Sequence, residues 1–295
     1  LGTLTAADKI ENIGSITTAA DKIIATNGII NENSLTLTSG NLSTQISGTG
    51  TTNIAGTVTN NSTISQNVNV DSTGKLTVKA NIGNLINSGE VISSTSNLTG
   101  TINNSGTLNL SGTLDKTISG NGTTKVNETL NLSQSATIGG ILDLNNGTIS
   151  TSDSSYSKYN ITTINGTGNA TIDVDWANSK ADSFNSTSGS GVLNLKLNET
   201  STENIWDTKT IQITNGGVGI SLDTKTGVKE KEILGSDDLK ANTNWSDKVG
   251  SWKRTDTYSE KTSAIKSSGS LVNDTIQYEV TKTNEGTKTY TTDGD

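Results

Sequence analysis

The sequence predicts an all-β fold in which short strands stack as the coils of a solenoid. One phrase recurs along the chain: glycine, any residue, an apolar residue, any residue, asparagine, two small residues, any residue and a second apolar residue. Its copies occupy residues 56–64, 83–91 and 100–108, so they begin 27 and 17 residues apart, and looser copies occupy residues 28–35 and 140–147. Irregular self-similarity of this kind is typical of stacked repeats, and its mean spacing predicts coils of about 22 residues.

The composition favours ordered strands over a disordered chain. Apolar residues make up 29% of the 295 residues, the net charge is −8, and proline is absent. Disordered chains usually combine low hydrophobicity with high net charge and proline. Here apolar residues alternate with threonine and asparagine, as in residues 57–59, 68–70 and 108–110. This period of two is that of a half-buried strand, and the lack of proline suits strands that pair along both edges.

The chain divides into two regions near residue 155. All ten aromatic residues lie after this point, as do 34 of the 50 charged residues. We expect a Thr/Asn/Gly-rich β-solenoid array at residues 1–155. Residues 156–295 are expected to form an aromatic- and charge-richer β region that continues the solenoid, caps its end, or does both, since a bare end is an open sheet edge. A chain that was solenoid throughout would form on the order of 13 coils, a rod of roughly 60–65 Å.

Three asparagines occupy the same place in the three best copies of the phrase, namely Asn60, Asn87 and Asn104. A solenoid needs the same kind of turn residue at a given corner of every coil. These residues are therefore predicted to stack as one column, with side-chain amides bonded to the neighbours above and below. The alternative is that each asparagine occupies a left-handed turn position of its own.

The composition excludes several kinds of chemistry. The chain has no histidine and no cysteine, so it can form neither a Ser-His-Asp triad nor a zinc–thiolate site. No phosphate-binding glycine motif stands between a strand and a helix. We therefore expect no catalytic residues, no cofactor and no metal. A single arginine and the acidic balance disfavour nucleic acid as a partner. The lack of 18 consecutive apolar residues predicts no membrane span.

The sequence contains one pair of carboxylates that is a candidate catalytic or calcium-binding site. Asp173 and Asp175 are two residues apart, so on a strand they share one face. Paired carboxylates serve in glycoside hydrolysis or bind calcium. The reading we favour is that both face solvent, while Ile172, Val174 and Trp176 point inward.

Two tryptophans are candidate contact residues. Trp245 and Trp252 lie near the cations Lys248, Lys253 and Arg254. Aromatic side chains beside polar groups are suited to binding a glycan or a protein. A role in a core or cap is equally compatible with such large side chains.

Several segments resemble the passenger domains of bacterial autotransporters and related surface adhesins. Residues 102–108 and 140–149 are similar to the runs of type I-x-N-x-G-x-L that such passengers contain. Residues 171–184, followed by 189–195, resemble the part of those passengers nearer the carboxyl end. The resemblance implies a right-handed parallel β-helix that is displayed outside the cell and has no catalytic residues.

These observations favour a non-enzymatic extracellular protein, a β-helical stalk or passenger on a bacterial surface. The expected partners are a protein or glycan on a host or neighbouring cell, or other copies of the chain. One alternative is a subunit of an extracellular filament or sheath assembled by end-to-end stacking, whose mass would grow with concentration. A second alternative is a polysaccharide-active β-helix enzyme, which would lose activity on mutation of Asp173 and Asp175.

Overall fold

A computed structural model describes residues 2–186, 188–215, 217–238 and 249–291. These residues form an all-β protein, 2% helical, in which parallel strands stack into a β-solenoid of about 9 turns. The β-solenoid predicted from the repeats is therefore confirmed.

The strands as far as residue 104 are, in chain order, β1 (Leu4–Ala6), β2 (Ile10–Asn12), β3 (Ser15–Thr18), β4 (Ile23–Ala25), β5 (Ile29–Asn31), β6 (Ser34–Leu42), β7 (Ile46–Ser47), β8 (Thr51–Asn60), β9 (Asn67–Val70), β10 (Lys75–Val78), β11 (Leu85–Asn87), β12 (Glu90–Ser94) and β13 (Ile102–Asn104). The next strands are β14 (Thr107–Leu114), β15 (Thr117–Ser119), β16 (Thr123–Leu132), β17 (Thr137–Asp143), β18 (Thr148–Ser150), β19 (Lys158–Asn165), β20 (Thr167–Asp175), β21 (Lys180–Ala181), β22 (Ser183–Asn185), β23 (Ser188–Gly189), β24 (Val192–Glu199), β25 (Lys209–Gln212) and β26 (Gly219–Ser221). The remaining strands are β27 (Lys225–Asp238), β28 (Val249–Ile265), β29 (Thr275–Asn284) and β30 (Thr289–Thr291), and the two short 3-10 turns are Ala20–Lys22 and Thr95–Asn97.

The core consists of columns of apolar side chains, one from each coil. The coils have three sides, and along each side the strands are parallel and in register. Alternate residues of each strand point inward, which is why a chain with few apolar residues still builds a continuous core. Burying one such side chain contributes on the order of 1.5–3 kcal/mol. One column, apolar except for the buried Thr52, is formed by Ile16, Leu35, Thr52, Val68, Leu85, Ile102, Ile118, Ile138 and Ile161.

The coils vary in length, and they are fewer than a chain that was solenoid throughout would form. Along this column, Val68, Leu85 and Ile102 follow one another at intervals of 17 residues. The predicted mean of about 22 residues lies within the observed range, which runs from 16 residues between Ile102 and Ile118 to 25 residues between Tyr159 and Phe184. About 9 turns at a spacing of about 4.8 Å give a stack of roughly 43 Å. The 13 coils of a chain that was solenoid throughout are not reached, because the chain leaves the solenoid after β26.

Asn87 and Asn104 stack at one corner, and Asn60 lies at another. Asn87 and Asn104 are register partners, and the Nδ2 of Asn87 donates to the Oδ1 of Asn104 at 2.8 Å. Asn60 is instead in register with Leu42 and Val78. The predicted single column thus holds for two of the three asparagines and is wrong for Asn60.

The left-handed alternative does not apply to these three residues. In the described chain the residues other than glycine with positive φ are Asn145, Asn146, Ser154 and Ser179. The corner asparagines act through their side chains instead.

Five buried asparagines share one arrangement, although they serve three different corners. Each side-chain amide donates to a main-chain carbonyl of the next coil, and several also accept from the backbone N–H two residues ahead. This arrangement pairs backbone groups that the turn would otherwise leave unsatisfied. The donors and acceptors are Asn12 to Ser34 O at 2.9 Å, Asn31 to Thr51 O at 3.1 Å, Asn60 to Ala80 O at 3.0 Å, Asn87 to Thr107 O at 3.0 Å, and Asn104 to Thr123 O at 3.1 Å.

An antiparallel sheet lies across the carboxyl-terminal end of the coils. Its strand order is β25-β29-β28-β27, with β30 paired to β28, and we call it the covering sheet. Ile276 and Tyr278 of β29 belong to the same hydrophobic core as the coils. The rings of Trp176 and Tyr278 lie 5.7 Å apart, centre to centre. The parallel strands β19, β20, β22–β24 and β26 therefore continue the solenoid, and β25 joins the strands from β27 onward in covering its end.

Replacing Asn87 by alanine is expected to reduce the free energy of unfolding by about 2–4 kcal/mol. The change leaves Gly89 N, Thr107 O and the amide of Asn104 short of a partner in a buried corner, and each such loss costs about 1–3 kcal/mol. Urea unfolding followed by circular dichroism measures the effect. Asn103→Ala, on the exposed face of the adjacent coil, is the matched control and is expected to cost less than about 0.5 kcal/mol. Equal losses in the two variants would contradict the corner role.

Candidate functional site

The covering sheet carries clusters of charged and aromatic side chains. Lys229 of β27 is the centre of one cluster, with its side chain 14% exposed. Its Nζ lies 4.7 Å from the ring centre of Trp206 and 4.9 Å from that of Tyr278. It also donates to the carbonyl of Thr202 at 3.1 Å, to the carbonyl of Ile205, and to the hydroxyl of Tyr278 at 2.6 Å.

Burial shifts the pKa values of two residues in this cluster. Burial lowers the pKa of Lys229, although the carboxylate of Glu260 opposes the change. Burial also raises the pKa of Tyr278 to about 12. The ammonium of Lys229 is enclosed by aromatic faces and carbonyl oxygens, a setting in which cation–π attraction is strongest. The cluster therefore fastens the segment after β24 to the covering sheet.

A second cluster is a network of ion pairs around Asp256, whose side chain is 2% exposed. The Nε of Arg254 lies 2.7 Å from Asp256 Oδ1, and the Nζ of Lys282 lies 2.9 Å from Oδ2. Glu285 contacts both cations. Burial alone would raise the pKa of Asp256, but hydrogen bonds from Lys282 and Arg254 outweigh it and hold the pKa below its usual range. The network ties β28 to the end of β29.

Trp252, one of the two predicted contact aromatics, is half-buried and already has a partner. The Nζ of Lys288 lies 4.2 Å from its ring centre. Lys288 and the hydroxyl of Tyr290 both donate to Asp237 Oδ2, at 2.8 and 2.7 Å. These hydrogen bonds lower the pKa of Asp237 to about 2. Trp245, the other predicted contact residue, lies outside the described residues.

The predicted carboxylate pair is divided between two separate sets of partners. Ile172, Val174 and Trp176 are buried, as expected, but Asp173 is also buried. Asp175 is the more exposed of the two, and it accepts from the side chain of Asn178 at 2.7 Å. The expectation that both carboxylates face solvent is therefore wrong for Asp173. It fails because a loop of the preceding coil folds over this side chain.

That loop, residues 151–157, is held by two buried aspartates. Asp173 accepts from Asp153 N at 2.9 Å and Ser154 N at 2.7 Å, and from the amide of Asn198 at 2.5 Å. Polar hydrogens thus surround its carboxylate, which satisfies a buried charge. The second aspartate is Asp182.

Sequence reasoning missed Asp182, which is fully buried. It accepts from the Thr151 hydroxyl at 2.7 Å and from the backbone N–H groups of Ser157 and Asp173, each at 2.9 Å. The available signal was its position two residues before Phe184, which is also buried. Burial raises the pKa of Asp182. The carboxyl group of Asp182 therefore binds a proton more tightly in the folded chain than in the unfolded chain. This group, taken alone, makes the fold more stable as the pH falls.

The part of the chain that the structure describes contains neither a candidate metal site nor a candidate membrane-spanning helix. Its aspartates and glutamates form no group of three suited to holding a metal ion. Within the same residues, no helix has the length and apolarity that crossing a membrane requires.

No protein-family model matches the chain, and neither a curated protein nor a solved structure is significantly similar to it. Proposals about function therefore rest on the geometry of the chain itself.

Lys229→Met is expected to reduce the free energy of unfolding by about 2–3 kcal/mol. The methionine fills similar space but leaves the carbonyls of Thr202 and Ile205 without their charged donor, and hydrogen bonds to charged groups contribute about 1.5–3 kcal/mol. Urea unfolding followed by tryptophan fluorescence reports the change. Lys231→Met removes a neighbouring cation 5.2 Å from the same Trp206 ring and is expected to cost less than about 1 kcal/mol. A loss for Lys231→Met as large as that for Lys229→Met would contradict the fastening role.

Asp237→Asn is expected to lower the melting temperature near neutral pH and to have little effect near pH 2. The folded-state pKa of about 2 lies below the ordinary value of 3.8. Stability from this carboxylate is therefore present above the ordinary pKa and is lost as the pH falls towards about 2. Thermal unfolding of both proteins across this range measures the difference. Asp223→Asn, an exposed site between β26 and β27, is the control. A gap for Asp237→Asn that stays constant with pH would rule out this origin.

Proposed function

We propose that this chain is a non-enzymatic structural rod of a bacterial cell surface, a β-helical stalk or passenger of an extracellular adhesin. The observation that carries the proposal is the uninterrupted stack of about 9 coils, which ends in a sheet built onto the same core. A solenoid of this kind is first a rigid spacer, because each coil is bonded to the coils above and below. The resemblance of its phrases to autotransporter passengers supports the extracellular placement.

The outer faces of the coils support a role in which the rod is exposed to water along its whole length. Outward positions on one side repeat serine, threonine and asparagine from coil to coil. Neighbouring amides in this row bond to one another, as Asn84 does to Asn67 at 3.0 Å and Asn185 to Asn160 at 2.9 Å. Such rows keep the rod soluble and add side-chain bonds to the backbone ladders. Members of the row include Ser15, Ser34, Thr51, Asn67, Asn84, Thr101, Thr117, Thr137, Asn160 and Asn185.

The two alternative functions have less support. A filament made by end-to-end stacking needs both ends of the coils open, and the covering sheet lies across one of them. A polysaccharide-active enzyme needs a pair of carboxylates directed at a substrate. Asp173 instead holds the loop at residues 151–157, and Asp175 binds its own turn.

Single-molecule force spectroscopy tests the rod. With a cysteine introduced near each end of this cysteine-free chain, pulling is expected to release one coil at a time. Coils of about 17 residues release about 6 nm of extended chain each. The Asn87→Ala variant is expected to lower the force of the step that contains its coil and to leave the other steps unchanged.

A parallel assay addresses the non-enzymatic part of the proposal. The intact chain is incubated with neutral and acidic polysaccharides, and new reducing ends are measured. We expect none. Release of reducing ends that Asp173→Asn abolishes would favour the enzyme. In the pulling experiment, extension without force steps would contradict the mechanical role.

A further inference from the structure

One long edge of the covering sheet is unpaired among the described residues. The strand β27 is 14 residues long and pairs with β28 alone. By contrast, β28 pairs with β27 along one edge and with β29 and β30 along the other. The unpaired edge lies well inside the sequence, between β26 and β28. Such an edge presents backbone N–H and C=O groups that can pair with a further strand.

β27 lacks features that commonly protect an edge strand. Such strands are often short, or are interrupted by a β-bulge or a proline. The register of β27 with β28 advances one residue at a time along its whole length, so no bulge bends it, and the chain contains no proline. At about 3.3 Å per residue the edge is about 45 Å long. A straight edge of this length is suited to the addition of a strand.

The outward side chains of β27 form a row with acidic residues at its centre and apolar residues at its ends. Val228 and Leu234 are 71% and 70% exposed, and Glu230 and Glu232 lie exposed between them. All four occupy alternate positions, so they share one face of the strand. Glu232 contacts Lys253 of β28, and its side chain remains 49% exposed.

The opposite face of β27 is occupied by another part of the chain. The Nζ atoms of Lys229 and Lys231 lie 4.7 and 5.2 Å from the ring centre of Trp206. Trp206 in turn packs against Tyr258 of β28, with ring centres 5.1 Å apart. A strand added at the edge is therefore selected mainly by the outward row.

We propose that the outer edge of β27 binds an extended peptide strand with two basic residues at alternate positions, flanked on the same face by apolar residues. Backbone hydrogen bonds to β27 supply the affinity, and the outward row sets the sequence preference. The basic side chains lie opposite Glu230 and Glu232, and the apolar side chains lie opposite Val228 and Leu234. This pattern is the same in both directions, so it fits a strand of either orientation. The inference is independent of the proposed function, because it concerns the covering sheet and not the rod.

The same row disfavours β27 of a second copy as the occupant. Antiparallel pairing of two copies that matches Val228 with Leu234 sets Glu230 opposite Glu232. It also sets Lys231 opposite Lys231 of the other copy. Like charges directly opposite one another are unfavourable. The alternation of charge therefore favours a strand of complementary sequence over self-association.

Fluorescence anisotropy on the 295-residue chain with a labelled synthetic peptide tests the proposal. The probe is a capped nine-residue peptide with threonine at its odd positions and leucine, lysine, lysine and valine at its even positions. Glu230→Lys combined with Glu232→Lys is expected to weaken binding about tenfold or more, because two favourable charge pairs become unfavourable. A second peptide, with glutamate in place of both lysines, is expected to bind this double variant and not the unchanged chain. The matched control is Asp115→Lys combined with Glu128→Lys, the same charge change at exposed sites on the coils, which is expected to bind the lysine peptide as the unchanged chain does.

Methylated peptides separate strand pairing from simple charge attraction. Backbone N–H groups of successive residues point to opposite edges of a strand. Methylation of the threonine nitrogens therefore blocks one edge of the lysine peptide, and methylation of the other nitrogens blocks the opposite edge. One of these two peptides is expected to bind the unchanged chain at least tenfold more weakly, and the other about as tightly as the unmodified peptide.

Several outcomes would overturn the proposal. Failure of the lysine peptide to bind would do so, as would full binding by the double variant. Equal binding of the two methylated peptides would show charge attraction without strand pairing. A chain that sediments as a dimer and excludes the peptide would identify a second copy as the occupant of the edge. The comparisons among peptides use the unchanged chain, so they decide the matter even if circular dichroism shows that the double variant does not fold.

Discussion

The structure depends on the register between successive coils. A parallel strand pairs with the coil below and the coil above, so a residue out of register would disturb two ladders and move a polar side chain into a core column. The corners are the weakest part of this arrangement because the chain must turn there without leaving buried backbone groups unpaired. The buried asparagines meet that requirement, since each one bonds its own turn to the next coil. Their geometry keeps the coils aligned although the interval along the core column varies, from 16 residues between Ile102 and Ile118 to 23 between Ile138 and Ile161.

The fold could be predicted from the sequence because the alternation of apolar and polar residues is strict, as in Val68-Asn69-Val70. The coil length could not, because the same phrase works at more than one corner. Asn31, Asn60 and Asn87 each end a strand on a different side of the solenoid, and each bonds the next coil in the same way. Because the phrase can mark any of several corners, it predicts that coils are present but not how many residues each coil contains. Averaging its intervals therefore could not show that the length differs from coil to coil.

The candidate site was less accessible to sequence reasoning for a different reason. Alternation could show that Asp173 and Asp175 share a face, but it could not show that residues 151–157 cover one of them. Lys229 stands in a run of four charged residues, 229–232, that shows no local sign of burial, yet its closest partners include Tyr278, which is 49 residues further along the chain. Contacts of this kind follow from how the covering sheet sits on the coils. No local pattern records that placement, so the partners of buried charges had to come from the structure.

The last coils of the solenoid are stabilised by contacts that the first described coil lacks. In a stack with nearest-neighbour interactions, a coil bonded on one side is less stable than one bonded on both. Among the described residues, the strands of the first coil pair along one edge only, and Leu4 and Ile13 are exposed there. The last coils gain the packing of Trp176 against Tyr278 and the ion pairs of the covering sheet. These contacts resist local opening of the last coils next to the covering sheet.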